Sequence, residues 1–373
     1  MKFKNQAPTT ITMNTKIYFT PGPSELYPTV RQHMITALDE KIGVISHRSK
    51  KFEEVYKTAS DNLKTLLELP ANYEVLFLAS ATEIWERIIQ NCVEKKSFHC
   101  VNGSFSKRFY EFAGELGREA YKEEASFGKG FYPANINVPA DAEIICLTHN
   151  ETSSGVSMPV EDINQFRDKN KDALIFVDAV SSLPYPKFDW TKIDSAFFSV
   201  QKCFGLPAGL GVWILNDRVI AKSKALLAKG KSIGTYHTIP SMLEKAVVNQ
   251  TPETPNAMNI FLLGKVTGDM LKISADGVRK QTEEKAALIN KYIESSKVFS
   301  FGVEDARLRS MTTIVANTTM LPGDINKILE PFDMSVGAGY GSKKETQIRI
   351  ANFPAHSLEQ VQKLVKTLQE KIG

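Results

Sequence analysis

Between about residue 50 and residue 216 the apolar positions switch period repeatedly. Phe52, Val55, Tyr56, Ala59, Leu63, Leu66 and Leu67 recur at helical spacing. Short continuous apolar runs follow at 75–78, 98–101, 144–147, 174–177, 196–200 and 212–215, several of them bracketed by helical segments. A run with no polar face predicts a strand buried on both sides. Alternation of such runs with helices predicts an α/β fold whose mostly parallel sheet is covered by helices. Ligands on sheets of this kind sit beyond the carboxyl ends of the strands.

A polar loop with prolines at 249–255 precedes a helical stretch predicted from about 256 to 296 with little interruption. Residues 311–315 and 347–350 then read as strands and 322–329 and 358–372 as helices, which predicts a smaller C-terminal α+β domain. The expected division is an N-terminal arm over 1–30, a large domain over 31–265 and a small domain over 266–373. The first dozen residues, polar and threonine-rich, read as an arm without fixed structure. No internal repeat or low-complexity tract interrupts the chain.

Composition narrows the picture. The 373 residues suffice for a sizeable core and more than one domain. The net charge of +4 is mild and the lysines are spread along helical surfaces, so no nucleic-acid partner is expected. Cys92, Cys100, Cys146 and Cys203 lie far apart with no C-x-x-C pair, which suits reduced thiols in a cytoplasmic protein and calls for no metal. Lys2 and Lys4 have no apolar segment behind them, so a secretory signal is not supported. Nothing approaches the ~20 apolar residues of a membrane span.

The chemistry centres on two residues. Lys202 follows the apolar run 195–200 and precedes the bend-rich stretch Gly205-Leu-Pro-Ala-Gly209, and Asp178 ends the run 173–177. Most lysines and aspartates near strand ends are merely solvated. An amine at one strand end and a carboxylate at another, however, can hold the aldehyde and the ring nitrogen of pyridoxal 5′-phosphate. Ser80-Ala-Thr-Glu-Ile-Trp85 adds a helix start just after the strand at 75–78, where unpaired amides and the helix dipole favour an anion, although a serine or threonine there is usually only a cap.

The segments Thr148-His-Asn-Glu-Thr-Ser-Ser-Gly-Val156, Phe176-Val-Asp-Ala-Val-Ser-Ser-Leu-Pro184 and Ser199-Val-Gln-Lys-Cys-Phe-Gly-Leu-Pro-Ala-Gly-Leu-Gly211 together resemble the class V (fold type I) pyridoxal-phosphate aminotransferases. The resemblance runs over nearly the whole chain, from Tyr18-Phe-Thr-Pro-Gly-Pro23 to the arginine segment near residue 349. It implies an enzyme of fold type I with pyridoxal phosphate as cofactor and amino acids and 2-oxo acids as substrates. Lys202 matches the lysine that bonds the cofactor and moves the substrate's α-proton, and Asp178 the carboxylate facing the pyridinium nitrogen. Thr152 matches the hydroxyl on the phenolic oxygen and Phe105 the aromatic stacked on the ring. Ala81, Thr82 and Gln201 match the phosphate site. Thr251 matches a residue reaching the phosphate from a neighbouring subunit, which implies a homodimer with active sites at the subunit interface.

The substrate rests on cations. Arg349 matches the arginine that binds the α-carboxylate, and a planar fork suits that role. His47 and Arg48 match a pair that, in phosphoserine aminotransferases, contacts the substrate's phosphate or the second carboxylate of glutamate. The expected reaction is therefore transfer of glutamate's amino group to 3-phosphohydroxypyruvate. Two departures stand out: Ser80-Ala-Thr82 replaces a glycine-rich loop carrying an extra cation, and no histidine precedes Arg349. Lys343 or Lys344 could supply that charge, though lysines in a glycine-flanked loop are more often surface. The segments at 148–152 and 18–23 lean towards alanine–glyoxylate or serine–pyruvate aminotransferases, which form the second reading. A fold of this kind that has lost its chemistry and serves as a scaffold is the non-enzyme alternative. Retention of Lys202, Asp178, Thr152 and Arg349 in one chain speaks against it.

Overall fold

The structure, a computed structural model, describes residues 15–373. Its larger sheet has the strand order Tyr73–Leu78, Gly211–Asn216, Ser195–Ser199, Leu174–Asp178, Ile144–Thr148, Lys96–Val101, Glu119–Glu124. Neighbours run parallel except at Gly211–Asn216, which is antiparallel to the strands on both sides. The apolar runs are continuous because both faces are covered. Ile145, Leu147, Ile175, Val177, Ala196 and Phe198 join one core with Phe52, Tyr56 and Leu63 of helix Lys50–Leu66. Ile144, Cys146, Leu174, Phe176 and Phe197 join the opposite core with Ile84, Trp85 and Ile88 of helix Ala81–Cys92. Strand Glu119–Glu124 was not expected: its charged side chains lie largely exposed along the sheet edge, where they blunt further pairing.

The smaller sheet has the order Ile17–Phe19, Met334–Ala338, Gln347–Ala351, Thr313–Thr318, Phe299–Phe301. Ile314, Ile348 and Ile350 pack against Ile289 and Ile293 of helix Ala275–Ser295 and against Val361 and Leu364 of helix Leu358–Lys371. The last helix opens on a reciprocal cap between Ser357 and Gln360. Residues 17–19, inside the expected arm, form an edge strand parallel to Met334–Ala338. The strand expected at 311–315 begins two residues later, because the Ser310 side chain accepts the amides of Thr312 and Thr313 and bends the chain ahead of it.

The helical stretch expected over 256–296 is two helices, Ala257–Ile273 and Ala275–Ser295. They part at Ser274, which takes φ 73° and whose hydroxyl caps the second helix at the Gly277 amide. The boundary expected between 265 and 266 lies within the first of them. The arm expected over the first dozen residues lies outside the described residues. Among the described residues no helix is long and apolar enough to cross a membrane.

Candidate active site

The carboxyl ends of the central strands deliver the expected groups to one place. Asp178 ends its strand level with Thr148 on one side and Phe197 on the other. Gln201 and Lys202 follow the next strand after Ser199. Thr152 sits in the turn joining Asn150–Glu151 to Val156–Ser157. Ala81, Thr82, Phe105, Thr152, Asp178, Gln201 and Lys202 line one cavity of about 380 Å³, a size ordinary for a small-molecule site.

Its electrostatics are set by burial. Lys202 is buried, and loss of hydration brings its amine down to about 8 against the opposing pull of Asp178. Its Nζ donates to Thr152 Oγ1 at 3.2 Å and lies 5.1 Å from the Phe105 ring centre. Burial pushes Asp178 up to about 6, even though the Val180 amide and the Trp85 indole N–H donate to its two oxygens at 3.0 and 2.9 Å. An amine that can shed its proton near neutrality shares this cavity with a carboxyl whose charged form, penalised by burial, a nearby cation would favour.

The surroundings hold these groups still. Thr152 Oγ1 donates to Ser181 Oγ at 2.7 Å. The fully buried Glu151 accepts from the Ser106 amide, the Ser106 hydroxyl and the Ser153 hydroxyl at 2.9, 2.8 and 2.6 Å, pinning the start of helix Ser104–Glu115 that carries Phe105. Gly22, at φ 138°, lies against the lysine stem: a Cβ there would meet Lys202 Cε at 2.8 Å.

The start of helix Ala81–Cys92 fits a phosphate. The Ala81 amide donates to Ser199 Oγ at 2.9 Å, the Glu83 amide to Ser80 Oγ at 3.1 Å and the Ile84 amide to Ser80 O at 3.3 Å. The Thr82 amide has no acceptor among the described residues, and Thr82 lines the cavity. An unpaired donor at the positive end of a helix is what an anion needs.

Arg349 adjoins this cavity: its Nε donates to Ala338 O at 2.8 Å, its Nη1 to Thr152 O at 3.4 Å, and its guanidinium lies 5.2 Å from the Tyr340 ring centre. His47, Arg48 and Thr251 are not brought to it. They gather at the loop 249–255, where Arg48 donates to Thr251 O at 2.6 Å, Gln250 Oε1 at 3.0 Å and Pro252 O at 3.2 Å, and His47 Nδ1 lies 3.4 Å from Thr254 Oγ1. Lys343 and Lys344 are exposed and line no part of the Lys202 cavity, whereas Arg108 does. Trp85, Ser181, Ser199 and Tyr340 were missed. The signal for Trp85 was present: it lies one turn beyond Thr82 on a helix, and a buried indole N–H requires an acceptor.

The aminotransferase class-V family model matches residues 132–364, and the chain belongs to that family. It is a pyridoxal-phosphate-dependent aminotransferase. A solved structure of a phosphoserine aminotransferase from Cytophaga hutchinsonii ATCC 33406 is 95% identical, with a TM-score of 0.96, over 97% of this chain and 100% of that one. The phosphoserine aminotransferase of Corynebacterium glutamicum (strain R) is 28% identical over 92% of this chain and 91% of its own. That of Bacillus circulans subsp. alkalophilus, at 20% identity, shares the fold with a TM-score of 0.79 over 95% of this chain and 98% of its own.

Proposed function

We propose that the enzyme transfers the amino group of L-glutamate to 3-phosphohydroxypyruvate, giving O-phospho-L-serine and 2-oxoglutarate in serine biosynthesis. The observation that carries this is near-identity, along almost the whole chain, with the Cytophaga hutchinsonii phosphoserine aminotransferase. When bound, pyridoxal phosphate supplies an electron sink for the charge left on the substrate's α-carbon. Lys202 as a free amine takes the α-proton; burial, by holding it to about 8, keeps a usable neutral fraction near pH 7. Asp178 would pair with the ring nitrogen, Thr152 would hold the phenolic oxygen and Phe105 would lie against the ring. Ala81, Thr82 and Gln201 would hold the phosphate, and Arg349 would fork onto the substrate's α-carboxylate.

His47, Arg48 and Thr251 form a group outside their own chain's cavity, which supports a homodimer in which this loop completes the neighbouring subunit's site. There Thr251 would serve the cofactor's phosphate, and His47 and Arg48 the substrate's phosphate or glutamate's second carboxylate. Four buried, unbridged cysteines accord with a cytoplasmic location. The test is a single-turnover assay on glutamate-aminated enzyme, following return of the starting cofactor spectrum with 3-phosphohydroxypyruvate, glyoxylate and pyruvate in parallel. The phosphorylated acid should react fastest, and Arg48→Ala should slow that acid alone. Preference for glyoxylate or pyruvate would reject the assignment to serine synthesis.

A further inference from the structure

We infer that His237 is a positioning residue that keeps the start of helix Ala81–Cys92 receptive to the cofactor's phosphate and ties the Thr251 loop to it. The inference rests on the reading of Thr82 as the phosphate end of the site. Glu83 follows Thr82 directly and its carboxylate folds back onto the helix start, accepting the Ala79 amide at 3.0 Å. A carboxylate so placed competes with a bound phosphate for the same positive helix end and repels it.

His237 answers that charge. Its buried ring places Nδ1 2.5 Å from Glu83 Oε1 and Nε2 2.9 Å from Glu253 Oε2. The Nδ1 contact is a hydrogen bond and the Nε2 contact an ion-pair distance without hydrogen-bond alignment, and a ring flanked by two carboxylates in this way favours the cation over the neutral form. Burial works against that charge, but the Glu253 and Glu83 carboxylates prevail and hold the imidazole at about 9. The other groups facing the cluster are Arg87, with Nε 3.5 Å from Glu83 Oε1 and Nη2 3.6 Å from Glu86, and the Tyr236 ring, tilted by 35° with its centre 4.1 Å away. Deprotonating His237 therefore removes a positive charge and leaves the Glu83 carboxylate beside the phosphate end with Arg87 alone to offset it. Glu253 belongs to the loop whose Thr251 hydroxyl donates to Glu253 O at 2.8 Å and whose Thr251 carbonyl accepts from Arg48, so the same imidazolium anchors that loop.

The test compares dissociation constants of the cofactor-free protein for pyridoxal phosphate and for pyridoxal, read from tryptophan fluorescence at pH 7.5. Wild type should prefer the phosphorylated form strongly, and His237→Gln should lose about tenfold of that preference. The double variant Glu83→Gln/His237→Gln should regain most of it, since the carboxylate needing compensation is gone. In wild type the preference should fall as pH passes 9. A His237→Gln protein with the full preference, or a double variant no better than the single, would overturn the inference and leave the histidine a packing residue. A wild type indifferent to the phosphate would instead bring down the reading of the helix start itself, and this inference with it.

Discussion

Replacing Asp178 by asparagine separates two effects that act on the same carboxyl. In the cofactor-free protein, burial lifts this group from 3.8 to about 6. A carboxyl raised on folding is no burden below pH 3.8, where it is protonated in both states, and stability is lost as pH climbs through 6. Across that window the loss approaches about 3 kcal/mol. Asparagine has no charge to bury, but its single carbonyl cannot serve both the Val180 amide and the Trp85 indole. One donor is left unpaired, at a cost of roughly 1–3 kcal/mol at every pH. Urea unfolding of both cofactor-free proteins should therefore find the asparagine protein weaker at pH 4. By pH 7.5 the difference should move in its favour by about 2–3 kcal/mol. Pyridoxal phosphate should stabilise wild type much more than Asp178→Asn, because only wild type gains a pairing for its carboxylate. Parallel pH profiles for the two cofactor-free proteins would refute the argument that burial dominates this group.

Lys202→Ala should keep the fold and, on the roles proposed for this lysine in bonding the cofactor and carrying the α-proton, reduce transamination by at least ~10³-fold; steady-state assay with substantial residual turnover would sink the assignment. The same change should not lower stability at pH 7, where the wild-type amine, held to about 8, is charged at a cost relieved only as pH rises through 8 towards 10.5. Gly22→Ala places a Cβ against Lys202 Cε and strains φ 138°. It should cost about 1 kcal/mol in thermal unfolding and lower kcat by roughly ten- to a hundredfold with little change in KM; an unaltered kcat would show that the lysine stem has room to move.

The strands of the larger sheet were legible where both faces are buried, because no polar position breaks runs such as 144–147 and 174–177. Glu119–Glu124 was illegible for the opposite reason: an exposed edge lets charge stand where pattern would be. Met334–Ala338 was missed because serine and glycine at 335 and 337 dilute its apolar positions. Lys202, Asp178, Thr152 and Phe105 were readable from motifs lying next to strand ends. Ser199 and Ser181 were not, since a serine signals nothing until its acceptor or donor is in place. His47, Arg48 and Thr251 could be matched one by one, but only the fold shows that they cluster with one another at the 249–255 loop, apart from the lysine of their own chain. The His237 bridge joins segments more than 150 positions apart, and no local pattern announces it.

The packing of Gly22 on Lys202 carries a consequence for how a new molecule is made. Ile17 pairs with Met334, so this strand meets its neighbour only after more than 300 further residues have been made. Pairings this distant close slowly, and chains are built from the amino end. The larger sheet, whose strands lie between residues 73 and 216, can assemble during synthesis with its lysine pocket still open on one side. The cover over that pocket arrives later, with the smaller sheet that anchors it. A chain cut short before residue 334 would thus lack the strand that anchors Gly22 against Lys202, and the lysine stem would be held on that side only once residues 334–338 had been added.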